Sequence, residues 1–189
     1  LTPENVKNAL NTLTMEGKPV RVAKTGYTGE PIGYELYCNS EDARYFWDRL
    51  IELGAKPTAL GARDTTRMEA SLPLYGHEMG ECEMGGEIQI YAVPLAKFAV
   101  SFAPEKGDFI GREPLKKQFE AMKKIMNRDY SSIEDLPYRI QPIYLEGKGV
   151  LRKGFPIYCK DAWAEGKQIG YVTSGTMIPY YKTRGEGLE

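Results

Sequence analysis

Apolar residues recur along this chain at two different periods, and Gly and Pro divide the periodic stretches from one another. At the start, Val6, Ala9, Leu10 and Leu13 keep helical spacing behind Thr2 and Pro3, a cap and first-turn pair, which predicts a short amphipathic helix. The segment Val20 to Thr25 then reads as a strand, and residues 26–31, Gly-Tyr-Thr-Gly-Glu-Pro, as a turn. In the strand that follows, Tyr34, Leu36 and Cys38 alternate onto one face, which places Glu35 and Tyr37 on the other. Ser40 is placed to cap a helix whose stripe of Ala43, Phe46, Trp47, Leu50 and Ile51 runs to Gly54, with Trp47 assigned to the core. A further helix is expected over Ala62–Ser71, closed by Pro73 and followed by a turn at Gly76. Strand, turn, strand and helices in this order predict an α+β arrangement with helices on one sheet face and the other face left for function.

Beyond Cys82 the periods weaken. Residues 82–102 combine the pair Gly85-Gly86 with an apolar run broken by Pro94, which predicts a loop followed by buried irregular structure. Helical spacing returns over Gly111–Asn127, with Leu115, Phe119, Met122 and Met126 on one face and Lys116, Lys117, Lys123 and Lys124 on a solvated one. Asn127–Leu136 is polar and acidic and reads as a linker. Tyr138–Leu145, Gly154–Cys159 and Gln168–Thr173 then read as short strands separated by Gly-Lys-Gly and Glu-Gly-Lys turns, a small antiparallel module. The expected division is 1–80, a connecting segment 81–136, and 137–189. There is no internal repeat.

Composition narrows the function classes. In 189 residues, 25 basic and 26 acidic side chains nearly cancel, so no electrostatic footprint for nucleic acid or an anionic membrane is expected. No apolar run approaches a membrane span, and the opening residues lack a signal-peptide pattern. Cys38, Cys82 and Cys159 are odd in number and far apart, which points to free thiols rather than a disulfide framework or a zinc site. With a single histidine, a Ser-His-Asp hydrolase would depend wholly on His77. No metal site is expected.

The densest chemistry lies in residues 58–79. Arg63 and Arg67 are four apart on one helix, and Arg63 stands near the helix start, where the macrodipole disfavours a cation. Either Arg63, Asp64 and Glu69 form ion pairs to a neighbour, or the Arg63 charge is kept for a ligand. Gly61-Ala62-Arg63-Asp64-x-x-Arg67-x-Glu69-Ala70 with Leu74-Tyr75-Gly76-His77-Glu78 resembles the most recognisable block of the glycine-cleavage T-protein family, the aminomethyltransferases. Four more blocks match in family order: Thr25 to Glu30, Tyr34 to Tyr37, Gly107 to Glu113 and Ile169 to Thr176.

The resemblance implies part of a ferredoxin-like folate-binding lobe followed by a small antiparallel β-barrel domain, truncated at its end. It implies transfer of an aminomethyl carbon from the lipoyl arm of H-protein to tetrahydrofolate, giving 5,10-methylene-tetrahydrofolate and ammonia. Glu35 matches the family glutamate that binds folate, and one carboxylate can meet the adjacent N3–H and amino donors of a pterin. Arg63 matches the arginine that contacts folate, and Tyr27 an aromatic lining the same pocket. Arg67 and Glu69 are expected as a structural ion pair, and His77 as a satisfied polar residue rather than a base.

The lysines of 116–124 are read first as a solvated face, with docking of an acidic lipoyl carrier as the minor alternative. The family's catalytic aspartate belongs ahead of these blocks, so no catalytic residue is assigned here, and the chain is expected to be a C-terminal part with negligible turnover alone. Whether Leu188-Glu189 is native is left open. Two departures stand out: the turn Pro31-Ile32-Gly33 is a residue longer than usual, and Ala96 and Lys97 replace a small acidic residue and a glycine. The same blocks occur in folate-dependent demethylases and in parts of sarcosine and dimethylglycine dehydrogenases, and a non-catalytic folate-binding assembly protein is a further alternative. The expected compartment is the cytoplasm, or the mitochondrial matrix in a eukaryote.

Overall fold

A computed structural model describes residues 8–162, 164–177, 183–184 and 187–188. Contacts divide the chain into two units, one built on the residues up to Leu72 together with the hairpin of β8 (Thr183–Arg184) and β9 (Gly187–Leu188), the other on Pro73–Met177. The observed class is α+β.

The first unit is organised on a three-stranded antiparallel sheet, β1 (Leu10–Met15), β2 (Lys18–Ala23) and β3 (Glu35–Cys38), in that spatial order. The expected opening helix is corrected here. Its residues 1–7 lie outside the described residues, and Leu10 to Met15 form a strand instead. The reason is the two-residue turn Glu16-Gly17, with φ of 49° and 82°, both left-handed, which matches the twist of a tight hairpin and folds Leu10–Met15 onto β2. Backbone bonds between Asn8 and Lys24 (2.9 Å) and between Lys24 and Ala9 (3.0 Å) extend the ladder. Six paired residues with two β-branched threonines outweigh a helical period carried by four side chains.

Val20 and Val22 of β2 face inward with Leu36 and Cys38 of β3, and close a small core on Phe46 of α1 (Ala43–Glu52). Trp47, assigned to the core from its spacing, is 53% exposed; the buried aromatic of this helix is its neighbour Phe46 at 4%. One residue is about 100° of helical rotation, which moves a side chain from the sheet-facing stripe to its flank. The helix starts with a 3-10 turn at Ser40–Asp42, and Ser40 makes no side-chain cap bond. It ends before Gly54, which sits at φ 94°. The second helix, α2 (Leu60–Glu69), ends ahead of Pro73 through a left-handed residue, Ser71 (φ 56°).

The second unit has a larger core. Cys82, Ile88, Tyr91, Ala92, Ala96, Ala121, Met122 and Leu136 are buried together, and Leu115, Phe119, Tyr138 and Tyr171 pack against them. The short pair β4 (Gly80–Glu81) and β5 (Glu87–Ile88) and 3-10 turns at Ile90–Ala92 and Pro94–Phe98 supply the irregular buried chain expected for 82–102. The next helix, α3 (Arg112–Met126), presents Leu115, Phe119, Ala121 and Met122 to this core, while Met126 is exposed. Leu136, in the segment read as a linker, is buried in the same cluster. Tyr138–Leu145 is not a strand; its Ile140 N–H bonds instead to the carbonyl of Ala92 (2.9 Å). Strands β6 (Pro156–Tyr158) and β7 (Gln168–Tyr171) pair antiparallel, and no closed barrel forms among the described residues.

Candidate functional site

The turn over residues 26–33 owes its path to glycine. A Cβ added at Gly29 (φ +84°) would stand 2.4 Å from the Cβ of Ala70, so the turn lies directly on the C-terminal end of α2. Its two ends also nearly touch, because a Cβ at Gly33 would meet the Thr25 carbonyl oxygen at 3.0 Å. The additional residue in Pro31-Ile32-Gly33 is taken up outward, with Ile32 exposed to solvent.

Seated this way, the turn brings Tyr27 to Arg63. The guanidinium carbon of Arg63, in the first turn of α2, lies 5.6 Å from the centroid of the Tyr27 ring. Arg63 is exposed and Tyr27 half-buried. A stacked pair at an exposed site contributes about 0.5–1 kcal/mol, and its larger effect is to hold the planar fork in one orientation.

Arg67 has the opposite environment. It is 1% exposed, and its Nε and Nη2 both donate to Asp64 Oδ1, at 2.8 and 2.7 Å, while Nη1 donates to the Leu72 carbonyl at 3.0 Å. Among the described residues a carboxylate partner of Arg67 is Asp64, three residues back on the same helix, and the expected pair with Glu69 does not form. Arg67 fastens the chain after α2 to the helix itself. Two arginines four residues apart thus serve different ends, one buried in bonds and one presented to solvent.

Glu35 opens β3 on the face opposite Leu36 and Cys38, and is exposed. The Tyr37 hydroxyl donates to Glu35 Oε2 at 2.8 Å, and this bond together with the carboxylate charge raises the Tyr37 phenol above its ordinary value. Among the described residues no hydrogen bond or ion pair joins Glu35 to Arg63 or Tyr27. Two of the three residues picked from the sequence are in contact, and the third stands with a neighbour the sequence reading did not single out.

His77 is half-buried, with Nδ1 2.9 Å from Ser174 Oγ. Beside it, Glu78 is 6% exposed and accepts from the Leu74 N–H (2.9 Å) and from the Thr173 hydroxyl (2.8 Å). Lys153 Nζ donates to the Gly76 carbonyl at 2.8 Å, and a Cβ at Gly175 would fall 2.0 Å from the Leu151 carbonyl oxygen. The segment 73–79 is thus clasped to 173–175 by side chains separated by 95 and 97 positions. No spacing rule links residues so far apart, although both segments carried polar residues in recognisable blocks.

Chemically, the first unit presents a carboxylate acceptor at Glu35 and, separately, a guanidinium donor beside an aromatic face at Arg63 and Tyr27. Among the described residues, no three His, Cys, Asp or Glu side chains are grouped to hold a metal ion, and no helix is long and apolar enough to cross a membrane.

The family pattern described as "GCVT N-terminal domain" matches residues 8–92. The chain is 39% identical over 179 residues to the aminomethyltransferase of Bacillus mycoides (strain KBAB4), covering 91% of this chain and 41% of that protein. The chain belongs to the glycine-cleavage T-protein, or aminomethyltransferase, family. Further relatives named aminomethyltransferase come from Halalkalibacterium halodurans, 38% identical over 90% of this chain and 40% of that protein, and Staphylococcus saprophyticus, 39% identical over 86% and 38%. The chain spans about two fifths of the length of the curated relatives it matches. Alignment over nine tenths of the chain takes in residues of both units.

Proposed function

We propose that this chain forms part of a tetrahydrofolate-dependent aminomethyltransferase, the partner of a lipoylated H-protein in glycine cleavage. The observation that carries this reading is the Arg63–Tyr27 contact at 5.6 Å, which holds an exposed arginine, with no carboxylate partner among the described residues, in the segment that matches the family's folate contact. In this reading Arg63 donates to a carbonyl or carboxylate of the folate, Tyr27 supplies the flat wall beside it, and Glu35 accepts the pterin N–H donors.

The reaction breaks the C–N bond of an aminomethyl group carried on a lipoyl sulfur, releasing ammonia, and then its C–S bond, returning the reduced lipoyl thiol, as the carbon bonds to folate N5 and N10 to give methylene-tetrahydrofolate. Residues that fix the pterin lower the barrier by holding N5 against the reacting carbon. Binding and orientation are the work assigned to Tyr27, Glu35 and Arg63. The proton transfers are assigned to none of these three residues. The ferredoxin-like lobe, a β-barrel domain and a cytoplasmic location are parts of the same reading.

Calorimetric titration of 5-formyl-tetrahydrofolate into the full chain, with Arg63→Ala as control, tests it. Binding that the control loses supports the assignment; equal affinity in the two proteins overturns it.

A further inference from the structure

The sheet face that carries Glu35 also carries Tyr37, two residues on along the same strand and therefore on the same side. Leu36 and Cys38 pack inward against Val20, Val22 and Phe46, so both of these side chains emerge away from the core. Tyr37 is 55% exposed, and the bond from its hydroxyl to Glu35 Oε2 spans 2.8 Å. Water can replace an exposed hydrogen bond of this kind, so it does little for folding. It does fix the orientation of a glutamate that would otherwise sample many rotamers.

We infer that Tyr37 is a positioning residue for Glu35, holding its carboxylate plane so that the remaining lone pairs meet the paired N–H donors of a pterin-like ring. This rests on the reading of Glu35 as the ligand's acceptor. An ionised carboxylate has about four lone-pair sites, and Tyr37 takes one of them on Oε2. Among the described residues no other group bonds to Oε1 or to the second site of Oε2, so a bidentate ligand edge is still received. The direction of approach is fixed before the ligand arrives, and the ordering cost is met in the free protein rather than on binding.

The test is a double-mutant cycle in the full chain with 5-formyl-tetrahydrofolate as probe, using Tyr37→Phe, Glu35→Gln and the pair. Tyr37→Phe keeps the ring and removes only the hydroxyl. Freeing one immobilised side chain corresponds to an affinity loss of about three- to tenfold. In the Glu35→Gln background the same change should alter affinity by less than about twofold, because its effect runs through the carboxylate. A purely structural tyrosine would show the same loss in both backgrounds, and that result overturns the inference. So does parental affinity in Tyr37→Phe when Glu35→Gln binds weakly, which leaves the ligand site standing. If Glu35→Gln itself binds like the parent, the site reading falls and this inference falls with it.

Discussion

The Thr173 hydroxyl donates to Glu78 Oε1 across 2.8 Å, and the second oxygen of that carboxylate takes the N–H of Leu74 at 2.9 Å. Replacing Glu78 by Ala strips both donors of their acceptor in a site that is 6% exposed. The expected loss is about 2–4 kcal/mol, the range for removing a buried charged hydrogen-bond partner. Urea unfolding monitored in the second unit checks it; an unchanged midpoint would mean that the clasp does not hold the segment.

The turn bearing Tyr27 leaves no room for a methyl group at Gly29, where a Cβ would lie 2.4 Å from that of Ala70 and φ is +84°. Gly29→Ala should cost about 1–3 kcal/mol from overpacking and backbone strain. It should also lower affinity for the folate probe, because displacing the turn takes Tyr27 away from Arg63. Thermal melts and titration on one preparation read both effects.

Arg63 and Glu35 are exposed, so their loss should leave folding almost untouched. Arg63→Ala and Glu35→Ala are each expected to weaken binding of the folate probe by about 1–3 kcal/mol, with unfolding midpoints close to the parent. A variant that loses stability and affinity together would place its residue in the scaffold.

Two neighbouring aromatics of α1 make a sharp pair. Phe46→Ala empties a buried site and should cost about 3–5 kcal/mol. Trp47→Ala removes a side chain that is 53% exposed and should cost less than about 1 kcal/mol. Equal losses would return Trp47 to the core.

Burial pushes the Tyr171 phenol from 10.0 up to about 12. Between these values the folded chain keeps a proton that the unfolded chain has lost. Stability therefore falls as pH rises through that window and is level with respect to this group below it. In Tyr171→Phe the alkaline decline should be shallower, as read by unfolding at a series of pH values.

The sequence made the local alternations legible. Leu36 and Cys38 face inward and Glu35 and Tyr37 outward because a strand has period two and nothing interrupts it. The helix carrying Arg63 and its stop ahead of Pro73 followed from propensity and ring chemistry. The hairpin at Glu16-Gly17 was missed because a glutamate in the left-handed region is rare, and its pairing with β2 is a tertiary choice that overrides a helical period. Arg67 bonds to Asp64 rather than Glu69 because its fork turns back along the helix, which spacing does not report. Of the site, the Tyr27–Arg63 contact depends on Gly29 lying against Ala70, a non-local fit invisible in a linear pattern.

The clasp between 73–79 and 173–175 also bears on how the chain is made. A ring of 95 positions must close before Thr173 reaches Glu78, and the entropy of closing it grows with the logarithm of its length. On a ribosome, the segment after α2 emerges long before its partners. It stays without this lock until Gly175 has cleared the exit tunnel and can settle against Leu151, the close approach that only a residue lacking a Cβ permits. A chain released before residue 173 would thus lose order at its middle as well as at its end.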